Sequence, residues 1–334
     1  MDSDKNWHIE IPVDRVPDVP MWSENYCWDA YDPVRRIFLW LHVGRWPHDP
    51  AMWHEFFVVC IDGKVTYSRR NIGRLHDPRL VGANCMRLEC VQPLQRWHFL
   101  YHGPALRCTA QELMVSPPPD SVTSLMDFDM VWEAACPLID FGHSVEPDAE
   151  SAGSHNEQGG TLRGHISFDG ERHEFDGRSF RDHSRGPRNI QDTFSRHSWI
   201  HGTFPSGRTI SSLIIEKPDG ALGVRDMFVT DAKGVTEKYD FDPPLLWDTW
   251  DNMERPYTLA GVHGNGSRIT VQAEPQFFVP FTSAHPSDLF VGQSNKFVGH
   301  RIIEMPTRLV WDGEETYGLT EISFTKAKSQ QYPG

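Results

Sequence analysis

Hydrophobic and polar positions alternate over short segments along most of the chain, a pattern typical of β-strands. In the first half such segments cover residues 36–43, 52–61, 64–69, 85–91, 97–102 and 124–135. In the second half they cover residues 161–168, 172–175, 198–204, 209–217, 222–230, 235–241, 257–262, 267–275, 296–306 and 316–324. Asp-Gly pairs at 62–63, 169–170 and 312–313 separate neighbouring segments, and Asp-Gly is a strong signal for a two-residue hairpin turn. The pattern predicts an all-β chain, with one short helix near Ala110–Val115.

Residues 143–160 interrupt this alternation. They are polar, acidic and rich in Gly and Ser, and they lack a hydrophobic period, which is typical of a linker or a long surface loop. We place the domain boundary here, between residues 1–150 and 151–334. Both halves have the pattern of a meander, so we predict two related antiparallel β-barrels or sandwiches in tandem. Residues 20–34 are expected to form an irregular segment over the first core.

Composition narrows the choice of partners. The chain has 334 residues, of which 39% are hydrophobic and 23% charged, as in soluble globular proteins. Its formal net charge of -14 disfavours nucleic acids and anionic membranes, which repel an acidic surface. The longest apolar runs, at 37–43 and 56–61, are too short to cross a bilayer, so we expect no stable membrane insertion. With 12 Trp and 19 Phe, an apolar small molecule is the expected partner.

The first 20 residues contain no apolar core and predict no signal peptide. The six cysteines form no C-x-x-C pair, and the chain is large enough to fold without disulfides. We therefore expect reduced thiols and a cytoplasmic protein. The sequence leaves the oligomeric state open and is compatible with a homodimer.

The residues with the most chemical potential lie between Gly177 and Asp226. We predict that this stretch forms the wall of an active site. It contains Asp182, His183, His197, Trp199, His201 and Asp226.

If residues 197–201 form a strand, alternation places His197, Trp199 and His201 on one face. Such a face suits an aromatic pocket that needs proton donors. The alternative is a row of partly exposed polar residues with one packed Trp.

Asp226 lies on the face of its predicted strand that also carries Val224 and Phe228. A carboxylate on an apolar face is costly unless it is paired or protonated. Burial raises the pKa of a carboxyl group, and a protonated Asp can act as a general acid. The alternative is a salt bridge to an Arg of a neighbouring strand.

The segment from Arg181 to Asn189 is predicted to be a loop. Asp182 and His183 would form a carboxylate–imidazole pair only in a bent loop, because neighbours on a strand face apart. We expect a functional role for these two residues. Arg185 and Arg188 are expected to pair with carboxylates at a structural corner.

Motifs for cofactors are missing from the sequence. It contains no P-loop, no Rossmann glycine pattern, no G-x-S-x-G elbow and no H-E-x-x-H. His197 and His201 would lie roughly 13 Å apart on a strand, too far to share one ion. We expect no metal and no cofactor.

The order of three motifs resembles one protein group. W-x-E-N begins at Trp22, R-D-H-S-x-G-x-R begins at Arg181, and H-x-W begins at His197, followed by a strand that carries Asp226. This order resembles the hydroxyneurosporene synthase (carotenoid 1,2-hydratase) and AttH-like group, which includes kievitone-hydratase-like and Diels–Alderase-like proteins. The resemblance implies a pair of lipocalin-like β-barrels. It matches His197 and Trp199 to the H-x-W pair and Asp226 to the proposed proton donor, whereas Val224 stands where an aromatic residue is expected.

The resemblance implies a cofactor-independent hydratase, cyclase or isomerase that acts on a terpenoid, prenylated or steroid-like compound. Asp226 would protonate an alkene, Trp199 would stabilise the cation, and His197 would assist the acid or activate water. Asp182 and His183 form a second candidate acid/base pair. The expected substrate-binding residues are His201, Arg181, Phe228, Trp28 and Tyr26.

Two other functions stay open at this point. A lipocalin-like carrier would need the aromatic pocket without the acids. A glycan-active or glycan-binding β-sandwich would also use Trp, Asp and Arg, although no paired-carboxylate signature is recognisable in the sequence.

Glu321 is expected to face the surface.

Overall fold

A computed structural model describes residues 6–46, 49, 51–74, 77, 80–83, 85–115, 123–141, 154–187, 195–242, 244, 253–285, 288–292 and 300–325. The chain forms two compact units. The first comprises residues 1–109 and 118–188, and the second comprises residues 110–117 and 189–334.

Within the described residues, the first unit contains one short helix and eleven strands. They are α1 (Trp7–Glu10), β1 (Trp22–Asp32), β2 (Ile37–Arg45), β3 (Met52–Ile61), β4 (Val65–Arg74), β5 (Leu80–Val81), β6 (Met86–Gln92), β7 (Arg96–Thr109), β8 (Thr123–Ala134), β9 (Ile139–Asp140), β10 (Ser154–Phe168) and β11 (Glu171–Pro187). Eight of the strands follow the order β4-β3-β2-β1-β11-β10-β8-β7, and β4 also pairs with β7. This last pairing closes the sheet into a barrel.

The second unit repeats the same plan. Its elements are α2 (Ala110–Val115), β12 (Arg196–Thr203), β13 (Thr209–Glu216), β14 (Leu222–Thr230), β15 (Thr236–Asp242), β16 (Tyr257–His263), β17 (Arg268–Pro275), β18 (Val279–His285), β19 (Asp288–Val291), β20 (His300–Trp311) and β21 (Glu314–Thr325). Eight strands follow the order β17-β16-β15-β14-β13-β12-β21-β20, and β17 pairs with β20. In each barrel the first strand pairs with the last. The prediction of two lipocalin-like antiparallel barrels in tandem is confirmed, as is the short helix.

The three predicted Asp-Gly turns are also confirmed. Asp62 and Gly63 have φ values of 52° and 67°, and the pairs at 169–170 and 312–313 are similarly left-handed. Two successive residues with positive φ form the hairpin turn whose twist matches that of the flanking strands. These turns join β3 to β4, β10 to β11, and β20 to β21.

The structure divides the chain later than the sequence suggests. β10 and β11 are the first two strands after residue 150. β10 pairs with β8 and β11, and β11 pairs with β1, so these two strands belong to the first barrel. The first half of β10 resembles a linker because it is polar and glycine-rich, yet Glu157 and Gln158 are only 1% and 2% exposed. The rest of the predicted linker, residues 143–153, lies outside the described residues.

Residues 20–34 were predicted to be irregular, but most of this segment forms the regular strand β1. Every position from Trp22 to Asp32 is buried, because both faces of this strand are covered. A strand buried on both faces loses the alternation by which half-exposed strands are recognised.

The two barrels have different cores. Large rings fill the first, including those of Trp28, Trp53, Trp97 and Trp132. Aliphatic side chains such as Ile200, Ile214, Ile303 and Met305 dominate the second. The six cysteines, all within the described residues, are free thiols. No helix among the described residues has the length and apolarity needed to cross a bilayer.

Candidate functional site

The predicted active-site stretch divides between the two barrels. Residues 177–187 lie on β11 of the first barrel, whereas His197, Trp199, His201 and Asp226 lie on β12 and β14 of the second.

Asp182 and His183 do not form the predicted acid/base pair. The segment that carries them is a regular strand rather than a bent loop, so the two side chains face opposite sides of β11. His183 lies opposite Tyr26, a residue of the apolar core, and Asp182 lies opposite Cys27. Asp182 has His155 as an ionic neighbour, with 3.8 Å between Oδ2 and Nε2.

Inside the first barrel, His183 belongs to a buried ionic network that we call the Glu24 cluster. Its members are Glu10, Glu24, Arg45, Arg181, His183 and Arg185. The Glu24 carboxylate accepts hydrogen bonds from Arg185 Nε at 2.7 Å, His183 Nε2 at 3.2 Å and Arg45 Nη2 at 3.3 Å. Arg185 is thus paired to a carboxylate, whereas Arg188 lies outside the described residues.

Burial and contacts within the Glu24 cluster shift the pKa values of Glu24 and His183. Burial acts to raise the pKa of Glu24, but hydrogen bonds and charge from His183 and Arg185 outweigh it and lower the pKa to about 2. Burial lowers the pKa of His183, despite its hydrogen bond to Glu24. The His183 imidazole is therefore neutral near pH 7, and it stacks on the Tyr26 ring at 3.9 Å between centroids.

The predicted substrate-binding residues Arg181, Tyr26 and Trp28 also lie inside the first barrel. Arg181 Nη1 donates to Glu10 Oε2 at 2.5 Å, and its guanidinium lies 5.5 Å from the centre of the Trp132 ring. The Tyr26 hydroxyl donates to the Glu10 carbonyl at 3.0 Å. These contacts connect α1 to the barrel wall. Glu24 and Arg185 are register partners, so the pairing of β1 with β11 brings the W-x-E-N and R-D-H-S-x-G motifs together.

In the second barrel, His197, Trp199 and His201 share one face of β12, as alternation predicts. They pair with Ile215, Leu213 and Ser211 on β13, whereas Ile200 between them belongs to the apolar core. The Trp199 and His201 rings are 4.3 Å apart, and the residues are 6% and 0% exposed. This face lies on the side of the sheet opposite the core and is nevertheless buried.

Register extends this face into a line of side chains across five strands. We call it the carboxyl row, and its members are Glu304, Glu321, Trp199, Leu213 and Asp226. Glu304 and Glu321 are direct neighbours on β20 and β21, and Trp199 follows Glu321.

Glu321 does not face the surface as expected. Its side chain is 13% exposed, and its Oε1 lies 3.1 Å from His197 Nδ1. Burial acts to raise the pKa of Glu321, but the hydrogen bond and charge of His197, a hydrogen bond with Glu304 and the charge of His201 lower it below its ordinary value. Glu321 is therefore ionised near neutral pH.

Glu304 is fully buried beside this carboxylate. An ionised carboxylate can only accept, so a hydrogen bond between two carboxyl groups requires a proton on one of them. Register places the Glu304 carboxyl group directly beside that of Glu321. Two neighbouring carboxyl groups that share one proton can serve as an acid and a base.

Asp226 occupies the far end of the carboxyl row. It is 8% exposed, and its Oδ1 lies 2.5 Å from Lys238 Nζ. The structure thus shows the alternative considered for Asp226, a salt bridge to a neighbouring strand, with a Lys rather than an Arg. Two strand spacings, roughly 10 Å, separate Asp226 from Trp199. Phe228 lies on the same face, with its ring 5.7 Å from Lys238 Nζ.

Glu304 is the residue that the sequence reasoning missed. The sequence feature that could have identified it is an acidic residue within the apolar run Ile302–Ile303–Glu304–Met305. Ile303 and Met305 flank Glu304 and face the core. Among the described residues, no group of three or more His, Cys, Asp or Glu side chains could hold a metal ion.

One protein family covers nearly the whole chain. It is described as a domain of unknown function, DUF7064, and it matches residues 9–326. The chain belongs to this family. No curated protein matches the chain in sequence.

Solved structures extend the comparison to the fold. A protein assigned as an AttH from Nitrosomonas europaea superposes with a TM-score of 0.64 at 13% identity, over 93% of this chain and 98% of its own. Kievitone hydratase from Nectria haematococca superposes with a TM-score of 0.51 at 13% identity, over 95% of this chain and 94% of its own. The chain therefore shares its fold with an AttH-type protein and with a hydratase, as the motif order suggested.

Proposed function

We propose that the protein is a cofactor-independent acid–base enzyme, a hydratase, cyclase or isomerase, acting on an apolar terpenoid, prenylated or steroid-like alkene. Glu304 is the proton donor and Glu321 the base. His197 positions Glu321, and Trp199 stabilises positive charge on the substrate. One observation carries the proposal: two buried carboxyl groups on neighbouring strands lie in register with a buried indole ring.

The chemistry of alkene hydration needs these parts. The Glu304 O–H bond breaks as a new C–H bond forms, which leaves a cation on the neighbouring carbon. The face of an indole ring attracts such a cation by about 2 kcal/mol or more in a desolvated site. Water then adds to the cation and gives its proton to Glu321. Because the two carboxyl groups are direct neighbours in register, one proton shift between them restores the starting state.

The same site serves the related reactions. In an isomerisation Glu321 removes a proton from a carbon next to the cation, and in a cyclisation a second alkene of the substrate attacks it. Glycoside hydrolysis fits less well, because the two carboxyl groups must then stand apart on either side of the scissile bond. The fold shared with kievitone hydratase supports the hydratase reading.

The test is deuterium transfer to carbon. Wild-type protein incubated in heavy water with acyclic prenyl alkenes, such as farnesol and farnesene, is expected to place deuterium on an alkene carbon, as detected by mass spectrometry. Glu304→Gln and Glu321→Gln should lower this transfer at least about 100-fold, because positioned acid–base catalysis contributes that much. Glu315→Gln on β21 is the matched control, since Glu315 is exposed and paired with Arg308.

The outcomes separate three possibilities. Loss of transfer in Asp226→Asn, with Glu304→Gln active, would move the acid to Asp226. A prenyl compound that stays bound and gains no deuterium in wild-type protein would instead identify a carrier. Full transfer in both Glu variants would refute the proposed pair.

A further inference from the structure

The first barrel has its own buried polar face, on the side of β1, β2 and β3 opposite its core. Asn25, Gly44 and His54 lie side by side on these strands. Their sequence neighbours Tyr26, Val43 and Trp53 belong to the apolar core, so the three residues face away from it. We call this surface the Asn25–His54 face.

Two side chains of this face are buried with unused hydrogen-bonding groups. His54 is 0% exposed, and neither of its ring nitrogens has a partner among the described residues. Asn25 is 5% exposed, and its Nδ2 likewise has no partner there. Leaving buried donors and acceptors unpaired is costly, so groups of this kind indicate a partner beyond the described residues.

The geometry brings polar atoms and aromatic rings together. A Cβ at Gly44 would lie 2.6 Å from Asn25 Oδ1 and 2.7 Å from His42 Cε1, so only glycine lets these two side chains meet on the face. Trp40 stacks on His42 with 6.0 Å between ring centroids, and Phe56 lies 6.3 Å from His54. A few polar atoms framed by rings are typical of sites for small apolar ligands.

The hydrogen-bonding groups of the Asn25–His54 face favour a ligand with an uncharged oxygen atom. Burial and the nearby His42 and Arg70 hold the pKa of His54 well below its ordinary value, so this imidazole is neutral and offers one donor and one acceptor. The Asn25 amide adds a further donor.

We propose that the Asn25–His54 face binds the hydroxyl or carbonyl oxygen of an otherwise apolar small molecule. Asn25 Nδ2 donates to this oxygen. His54 donates to it as well, or accepts from it where the ligand is an alcohol. The inference does not rest on the proposed function, because it concerns binding by the first barrel and is tested without turnover.

The experiment compares ligands that differ in one oxygen. Isothermal titration calorimetry of wild-type protein with farnesol, farnesal and farnesene is expected to give about tenfold or tighter binding of the two oxygenated compounds. A site built to hydrogen-bond an oxygen rejects an analogue that lacks it. His54→Phe and Asn25→Leu should reduce this preference to less than about threefold while farnesene affinity persists. His102→Phe, at an exposed histidine of the same barrel, should leave it unchanged.

A second measurement keeps the proposal testable if either variant fails to fold. In wild-type protein labelled with nitrogen-15 at histidine, farnesol should shift a buried imidazole resonance and farnesene should not. His54→Gln, which retains a donor and an acceptor, should keep the preference for farnesol. Equal affinity for the three compounds, no binding of any of them, or a full preference in folded His54→Phe would overturn the proposal.

Discussion

The two barrels share one strand order but differ in the side chains that they bury on the inner face of the wall. In the first barrel, Glu24 and Arg181 lie on the inner face of the wall, surrounded by tryptophans. In the second, the inner face is aliphatic, and the buried carboxyl groups of Glu304 and Glu321 lie on the outer face. Charges inside a barrel that are paired and hydrogen-bonded hold the structure together. The proposed function assigns the chemistry to the carboxyl groups on the outer face of the second barrel.

Equivalent strands sharpen this contrast. β10 and β11 carry a facing pair of acids, Glu157 and Asp182, where β20 and β21 carry Glu304 and Glu321. In both barrels a histidine contacts the pair, with His155 Nε2 3.1 Å from Glu157 Oε1. The next residue in register is Cys27 in the first barrel and Trp199 in the second. Only the second row thus places an aromatic ring beside its acids.

The largest expected effect is on stability, from a substitution inside the first barrel. Glu24→Gln leaves Arg45 and Arg185 buried without their anion, and breaking a buried ion pair in this way costs about 3–5 kcal/mol of unfolding free energy. In the proposed site Glu304 is the neutral acid, so Glu304→Gln, which introduces a neutral amide, should cost less than about 1 kcal/mol. Urea unfolding of both variants checks this, with exposed Glu89→Gln as control. Equal losses in the two variants would erase the contrast.

The pH dependence of stability tests the same cluster. The pKa of Glu24 is about 2 in the folded protein against 4.5 ordinarily, so the unfolded chain takes up a proton first as pH falls. The stabilisation is complete above pH 4.5 and is lost as pH falls towards 2. Its size is on the order of 3 kcal/mol. Acid titration of unfolding should show this component in wild-type protein and not in Glu24→Gln. A parallel pH dependence in both proteins would contradict it.

Replacing tryptophan by phenylalanine in each barrel separates function from packing. Trp28→Phe removes part of a fully buried ring and should cost about 1–3 kcal/mol of unfolding free energy, with little effect on turnover. Trp199→Phe keeps an aromatic face but weakens its attraction for a cation, so turnover should fall about tenfold while stability changes little. Thermal melts and the deuterium-transfer assay measure both effects. Loss of turnover in Trp28→Phe alone would move the chemistry to the first barrel.

The smallest expected effect concerns Asp226. Lys238 is 59% exposed and lines an open surface cleft of about 620 Å³, so its ion pair with Asp226 is reached by solvent. Lys238→Gln should therefore change the free energy of unfolding by less than about 1 kcal/mol. A gain of activity in this variant, measured by deuterium transfer, would show that Asp226 acts as an acid once its partner is removed.

Local signals predicted the fold because they depend on few residues. An Asp-Gly turn between alternating segments, as at Asp62-Gly63, carries its own geometry. Alternation also placed His197, Trp199 and His201 on one face. It could not place the domain boundary, because Glu157 and Gln158 are buried polar residues within a strand that resembles a linker.

The candidate site was harder to predict because alternation separates two faces without saying which one is buried. Glu321 and Glu304 lie on different strands, and only the pairing of β20 with β21 brings them together. The partner of Asp226 depends on the pairing of β14 with β15 in the same way. The spacing of residues along the sequence does not reveal which residues of distant strands pair with each other.

The pairing of first and last strands has a consequence for biosynthesis. Glu24 is separated from Arg185 by 161 positions, so the ribosome must release β11 before the first barrel can close. Until then β1 has an unprotected edge, and Glu24 lacks its partners His183 and Arg185. We expect nascent chains that stop before Pro187 to need chaperones, and slightly longer ones to become protease-resistant in a single step.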